Sequence, residues 1–351
     1  MSDNTNVTSN ENQVVPKPSL KGVEPEVRGS PLEPQPSLKG EGSPLDMSVE
    51  IAGVRFNNPV IASSGTFGKG REYSNIFDIS LLGGICTKGL TFIPRPGNTG
   101  TRVWETSSGL INSIGLENPG IKSFIENDLE YMRRLGPVII ANLSGSSSDE
   151  YVKGAALLDN SSVDMIELNI SCPNIKDGGL TFGLDPGTAA ALVVAVRRAC
   201  RHKPLMVKLS PNCPSIASVA LACVNAGADV LSLVNTFRAI AIDIEKRKPV
   251  FDNIIAGLSG PAIRPIALRI VWELYDSLRN LKVNIPIVGM GGIACTNDAI
   301  EFLMAGSRAI QVGTATFSNP HTMLEIIDGL HKYMAANKIS KLSDISIRDK
   351  W

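Results

Sequence analysis

An octapeptide near the middle of the chain, Glu167-Leu168-Asn169-Ile170-Ser171-Cys172-Pro173-Asn174, carries two amides and a thiol out of a strongly apolar run. Residues Val163 to Ile170 are apolar enough for a strand covered on both faces, and such a strand exposes chemistry only at its ends. Cys172 stands at that exit. An isolated cysteine is ordinarily a small buried hydrophobe. Here the thiol is followed by Pro173, Asn174, Lys176 and the pair Gly178-Gly179, the composition of a polar loop.

Few other side chains compete for a proton-transfer role. Of the three histidines, His202 precedes a predicted strand on the face opposite the strand exits, and His321 and His331 fall in the last helical segment. None stands at a strand exit, and no grouping of histidines and carboxylates has the pattern of a catalytic metal site. Cys172 is therefore the leading base or nucleophile. Its ordinary pKa of about 8.5 must be lowered, or its deprotonation coupled to substrate, for work near neutral pH. Lys88 and Lys208, also at strand exits, either assist in this or bind a ligand phosphate or carboxylate. The six cysteines (86, 172, 200, 213, 223, 295) form no close pairs of the kind that hold zinc or iron–sulfur clusters.

The elements that must position these groups are legible from Met47 onward. Short β-branched runs occur at Val60–Ser63, Gly84–Lys88, Val138–Leu143, Met165–Ile170, Leu205–Leu209, Val230–Val234, Ile285–Gly289 and Ala309–Val312. Helical patterns lie between most of them, as at Asp185–Arg201, Ser215–Ala226, Pro265–Leu281 and Thr296–Ala305. Alternating strands and helices give a parallel sheet, and eight such units close it, so the predicted fold is an α/β (β/α)₈ TIM barrel. An open doubly wound sheet is the competing arrangement. The absence of a G-x-G-x-x-G turn after the first strand counts against it.

Two connections are too long for simple barrel loops: Thr91 to Pro119 after strand two, and Phe237 to Gly260 after strand six. Both leave C-terminal strand ends, where barrel enzymes build their sites, so they are expected to form the wall and roof of a pocket. Polar residues collect at the same ends: Ser64-Gly65, Thr87-Lys88-Gly89, Asn142 to Gly145, Asn169 with Cys172, Lys208 to Ser210, Asn235-Thr236, Gly289 to Gly292 and Gly313-Thr314. A lysine or asparagine closing an apolar strand is costly if buried alone. Its recurrence at strand after strand points to a ligand site. The glycines after strands seven and eight sit where barrels commonly bind phosphate through backbone N–H groups, although glycine there also serves simple turns.

Composition sets the frame. The chain has 351 residues, zero net charge, and 43% hydrophobic but only 5% aromatic residues. This suits one large domain, and neutrality gives no electrostatic footprint for nucleic acid or an anionic membrane. No apolar stretch approaches the ~20 residues of a membrane-spanning helix, and the N-terminus lacks a secretory pattern, which reads as a cytoplasmic protein. Residues 1–46 differ from the rest, being rich in Ser, Asn, Pro and Glu. Pro18-Ser19-Leu20-Lys21-Gly22 returns as Pro36-Ser37-Leu38-Lys39-Gly40, with Gly-Ser-Pro-Leu after each copy. They read as a disordered, repeat-derived extension, ahead of a barrel over 47–340 and a C-terminal tail over 341–351.

The motifs together resemble the dihydroorotate dehydrogenase family over residues 47–338. The matching pieces are Asn58-Pro59, Ala62 to Gly68, Thr87-Lys88-Gly89, Asn112-Ser113-Ile114-Gly115-Leu116-Glu117-Asn118-Pro119-Gly120, Asn169 to Asn174, Val207 to Pro211, and Gly289-Met290-Gly291-Gly292-Ile293. Cysteine rather than serine at position 172 resembles the soluble class. Lys176-Asp177-Gly178-Gly179 with Phe182-Gly183 resembles the NAD-linked subclass.

The resemblance implies bound FMN, its phosphate near Gly291, Gly292, Gly313 and Thr314, and its ring contacted by Ser64, Lys88, Gly89, Asn142, Asn169, Lys208 and Val234, with Gly260 close by. Dihydroorotate or orotate would be held by Lys88, Asn112, Ser113, Ile114, Gly115, Leu116, Asn169, Asn235 and Thr236. Cys172 would take the C5 proton while hydride passes from C6 to the flavin, and the glycine-bearing loop over 173–182 would act as a lid. With neither a dinucleotide fingerprint nor a cluster motif in the chain, the NAD-linked subclass further implies a separate subunit with FAD and a [2Fe–2S] centre, around a homodimeric core in a heterotetramer. The alternatives are a fumarate-linked homodimer, a flavin barrel acting on uracil-type bases, an RNA-modifying flavin barrel, which neutrality opposes, and a colourless phosphate-binding barrel.

Overall fold

In a computed structural model of the chain, residues 45–170 and 182–348 are described, so Cys172 and residues 173–181 of the expected lid lie outside the described residues. Eight aliphatic runs form strands: β1 (Val60–Ala62), β2 (Gly84–Cys86), β3 (Val138–Leu143), β4 (Met165–Asn169), β5 (Leu205–Lys208), β6 (Val230–Leu233), β7 (Ile287–Met290) and β8 (Ala309–Val312). They pair in parallel and close into a barrel with β5 against β6. Apart from Val138 at the start of β3, every residue in them is buried. Helices cover the outer face and side chains fill the inner one, so these strands read as largely apolar runs, with single polar residues in several of them.

The outer layer follows from capping and periodicity. Ser147, Asp185 and Ser215 each accept a backbone N–H at the start of the helices Ser148–Asp159, Pro186–Ala199 and Ile216–Asn225. A cap lies just outside the helix it starts, which is why the helices expected from Asp185 and Ser215 begin one residue later. After β1 two 3₁₀ turns, Tyr73–Asn75 and Ile79–Leu81, replace an α-helix. A hairpin of Val49–Ile51 and Val54–Phe56 covers the N-terminal end, with Phe56 against Gly84 at the start of β2.

The packed body reaches close to both ends of the described chain. The Asp46 N–H donates to the Ser340 carbonyl at 3.0 Å, and the Leu342 N–H donates to the Asp46 carbonyl at 3.1 Å. Leu342 and Ile345 are buried in the core, and the Arg348 guanidinium lies 3.3 Å from the centre of the Trp272 ring.

The two long connections meet. Val103–Thr106 and Gly109–Asn112 from the loop after β2 join Phe237–Ile240 and Ile255–Ser259 from the loop after β6 in one four-stranded antiparallel sheet. The seam pairs Asn112 with Gly257 and Leu110 with Ser259. A small second core of Ile111, Phe251 and Ala256 packs against the sheet. Over the strand exits this sheet forms a roof.

Candidate active site at the mouth of the barrel

Between the strand exits and the roof lies a cavity of about 220 Å³. Its walls carry Ser64 after β1, Lys88 and Gly89 after β2, Asn169 closing β4, Lys208 closing β5, and Val234, Asn235 and Thr236 after β6. Gly291 and Gly292 follow β7, Gly313 and Thr314 follow β8, and Gly260 ends the roof sheet. The roof itself contributes Asn112, Ile114, Gly115 and Leu116. Two residues selected from the sequence stand elsewhere. Asn142 is fully buried in the barrel wall, and Ser113 points away into bonds from the Asn98 and Asn253 amides at 3.0 and 3.4 Å.

The floor of the cavity is built on one carboxylate. Glu167, inside the barrel on β4, has no exposed surface. Its Oε1 accepts from Asn142 Nδ2 at 2.7 Å and from the Cys86 thiol at 3.3 Å. Its Oε2 accepts from Ser232 Oγ at 2.9 Å and Gln311 Nε2 at 2.7 Å. Lys208 Nζ stands 3.8 Å from Oε1. Burial alone would push this carboxyl up, but the Lys208 charge and the bonds from Gln311, Asn142 and Ser232 more than offset it and hold the pKa below the usual carboxylate range. The Cys86 thiol beside it is pushed well up, by burial and then by the Glu167 charge, so Cys86 stays protonated.

Amides line the side wall. Asn235 Nδ2 donates to Asn169 Oδ1 at 3.4 Å, while the Asn169 carbonyl accepts from Tyr151 Oη at 2.7 Å. The Asn235 side-chain oxygen accepts from the Thr236 N–H at 2.8 Å, and Asn112 Nδ2 donates to the Gly257 carbonyl at 3.3 Å. Paired amides of this kind suit a ligand with alternating donors and acceptors.

Backbone shapes the opposite wall. Gly291 and Gly292 both have positive φ, 124° and 76°. A Cβ on Gly292 would stand 2.7 Å from the Gly260 carbonyl oxygen, and one on Gly291 would stand 2.7 Å from the Cβ of Ala267. Only glycine fits that turn, and it leaves backbone facing the cavity, as close approach to an anion requires. Thr314 Oγ1 bonds Ser259 Oγ at 2.9 Å, tying the β8 exit to the roof.

A family model described as dihydroorotate dehydrogenase matches residues 46–334. The chain belongs to the dihydroorotate dehydrogenase family. Among its relatives, the "Dihydroorotate dehydrogenase B (NAD(+)), catalytic subunit" of Petrotoga mobilis is 55% identical over 301 residues, covering 86% of this chain and 98% of that protein. Proteins of the same name from Caldicellulosiruptor bescii and Geotalea daltonii are 48% and 47% identical, each over 86% of this chain and 98% and 97% of their own lengths.

In this dihydroorotate dehydrogenase family member, three floor residues escaped the sequence reading: Glu167, Ser232 and Gln311. Each interrupts an otherwise apolar strand, and a polar residue there must find a partner inside the barrel. That signal was present in the sequence. Which partner it finds depends on register, which the sequence does not print.

Proposed function

We propose that this chain is the catalytic subunit of an NAD-linked dihydroorotate dehydrogenase, which oxidises dihydroorotate to orotate with bound FMN in de novo pyrimidine synthesis. The observation that carries the reading is 55% identity, over nearly the whole length of the Petrotoga mobilis protein, to a catalytic subunit of that name. As in the name, a separate subunit is expected to complete the NAD-linked reaction; we assign it FAD and a [2Fe–2S] centre, around a homodimer of this chain.

The residues of the cavity fit FMN. Gln311 lines the cavity, and its buried Oε1 has no hydrogen-bond partner among the described residues, which leaves an acceptor for a ring N–H. The glycine turn at Gly291-Gly292, with Gly313 and Thr314, offers backbone donors for the phosphate. Ser64, Lys88, Gly89, Asn169, Lys208, Val234 and Gly260 would hold the ring. Asn142, expected among them, would support the floor from within the wall. When bound, FMN supplies the hydride acceptor.

The chain's own residues supply recognition, alignment and a base. Lys88 offers charge to the substrate carboxylate, while Asn112, Asn169, Asn235 and Thr236 match the pyrimidine edge, with Ile114, Gly115 and Leu116 closing over it. Ser113 would support that strip through its bonds to Asn98 and Asn253. Cys172, assigned from the sequence, removes the C5 proton. The roof sheet excludes water from the reacting face.

An anaerobic absorbance experiment tests the reading. The purified chain should show a flavin spectrum that dihydroorotate bleaches and dihydrouracil does not. It should reduce artificial dyes unaided, and NAD⁺ only with an iron–sulfur flavoprotein from the same cell. A colourless protein, or bleaching by dihydrouracil alone, refutes the substrate; NAD⁺ reduction by the chain alone refutes the two-subunit reading, and efficient turnover with fumarate assigns the other subclass.

A further inference from the structure

The Glu167 carboxylate draws partners from five other barrel strands: hydrogen-bond donors from Cys86 on β2, Asn142 on β3, Ser232 on β6 and Gln311 on β8, and the Lys208 cation on β5. A buried carboxylate carries a desolvation cost that an aliphatic side chain in the same place would avoid. Packing alone therefore does not account for it. Two of the residues it holds, Lys208 and Gln311, also line the cavity.

The chemistry of the contact fixes both. An ionised carboxylate only accepts, so the Gln311 amide must turn its NH₂ toward Glu167 and its oxygen away from it. That oxygen is buried without a hydrogen-bond partner among the described residues, on a residue that lines the cavity. Lys208 is nine-tenths buried, and its positive charge is balanced by Glu167 below it. Without that balance the floor of the cavity would carry an uncompensated cation in a medium of low dielectric.

We infer that Glu167 is a positioning residue of this site, which orients Gln311, holds Lys208 and cancels most of its charge, and thereby sets the reduction potential of the bound cofactor. The inference rests on the FMN reading above. The sign follows from electrostatics: neutralising Glu167 leaves Lys208 unbalanced, which favours the reduced, more electron-rich cofactor.

The test uses substrate-free holoprotein equilibrated with dyes of known potential. Wild type is compared with Glu167→Gln and with the double variant Glu167→Gln/Lys208→Gln. Glu167→Gln should keep FMN and shift the equilibrium at least tenfold toward reduced cofactor, about 30 mV for a two-electron couple. The double variant, with a neutral floor again, should return to within about threefold of wild type. A merely structural Glu167 would lower the melting temperature without moving the potential, so an unchanged potential in Glu167→Gln overturns the inference. So does a double variant shifted as far as the single one. Should Glu167→Gln fail to fold, Lys208→Gln beside the double variant decides: the single change, which leaves Glu167 unbalanced, should shift the equilibrium at least tenfold toward oxidised cofactor while the double variant stays within about threefold of wild type, and an unchanged potential in Lys208→Gln overturns the inference. Wild-type protein without FMN, or with FMN that dihydroorotate leaves unbleached, would instead refute the function proposed above.

Discussion

The Asn142 side-chain amide donates to Glu167 Oε1 at 2.7 Å, and the two residues face each other in the β3–β4 register. An amide at a strand exit is thus spent inside the barrel wall. Replacing it removes one of the donors that stabilise a fully buried charge.

Asn142→Leu is expected to lower stability by ~1–3 kcal/mol, the cost of leaving a buried acceptor short of a partner, and to change orotate affinity less than threefold. Urea midpoints and flavin spectral titration check the two halves. Full stability with tenfold weaker orotate binding would show a ligand-facing amide instead.

Lys88 lines the cavity at the β2 exit. Lys88→Ala should weaken orotate binding more than binding of a carboxylate-free pyrimidine, because only orotate loses a charge-assisted hydrogen bond worth ~1.5–3 kcal/mol. Equal losses for both ligands would remove Lys88 from carboxylate recognition.

Cys172→Ala should retain FMN yet slow flavin reduction by dihydroorotate roughly 10²–10⁴-fold, the usual worth of a positioned base. Cys172→Ser should recover part of the rate at high pH, since a hydroxyl is the poorer base. Stopped-flow reduction of the alanine variant within a few-fold of wild type would eliminate the cysteine.

A pH effect on stability is expected at the opposite end of the barrel. Asp159, buried, accepts the backbone N–H groups of Arg201, His202 and Lys203 at 3.0, 2.9 and 2.9 Å, and His202 Nδ1 lies 2.7 Å from it. Burial pushes its carboxyl up, but these bonds outweigh burial and hold it well below the usual carboxylate range. A depressed folded-state pKa contributes stability in full above the unfolded value of about 3.9, and that contribution is lost as pH falls toward the folded value. Asp159→Asn should therefore be less stable than wild type at pH 7 by ~1–3 kcal/mol, with the gap closing below about pH 4. Urea midpoints that differ equally at pH 7 and pH 3 would contradict this.

The sequence by itself determined the barrel, because apolar runs, capping residues and glycine punctuation are local and their alternation leaves few ways to pair. It also determined which segments end at the mouth, since strand direction follows from chain order. From those two facts Ser64, Lys88, Asn169, Lys208, Asn235 and the glycines after β7 and β8 were expected around one site, and all of them line the cavity. Only the tertiary structure decided where each polar group points. Asn142 and Lys208 look alike in sequence, each near the end of an apolar strand, yet closure turns both toward Glu167 and leaves only Lys208 on the cavity. The pairing of two loops nearly 150 residues apart, Gly257 with Asn112, was equally beyond local reading. Register and closure are set by contacts between distant strands, and a side chain's partner depends on which residue the fold brings opposite to it.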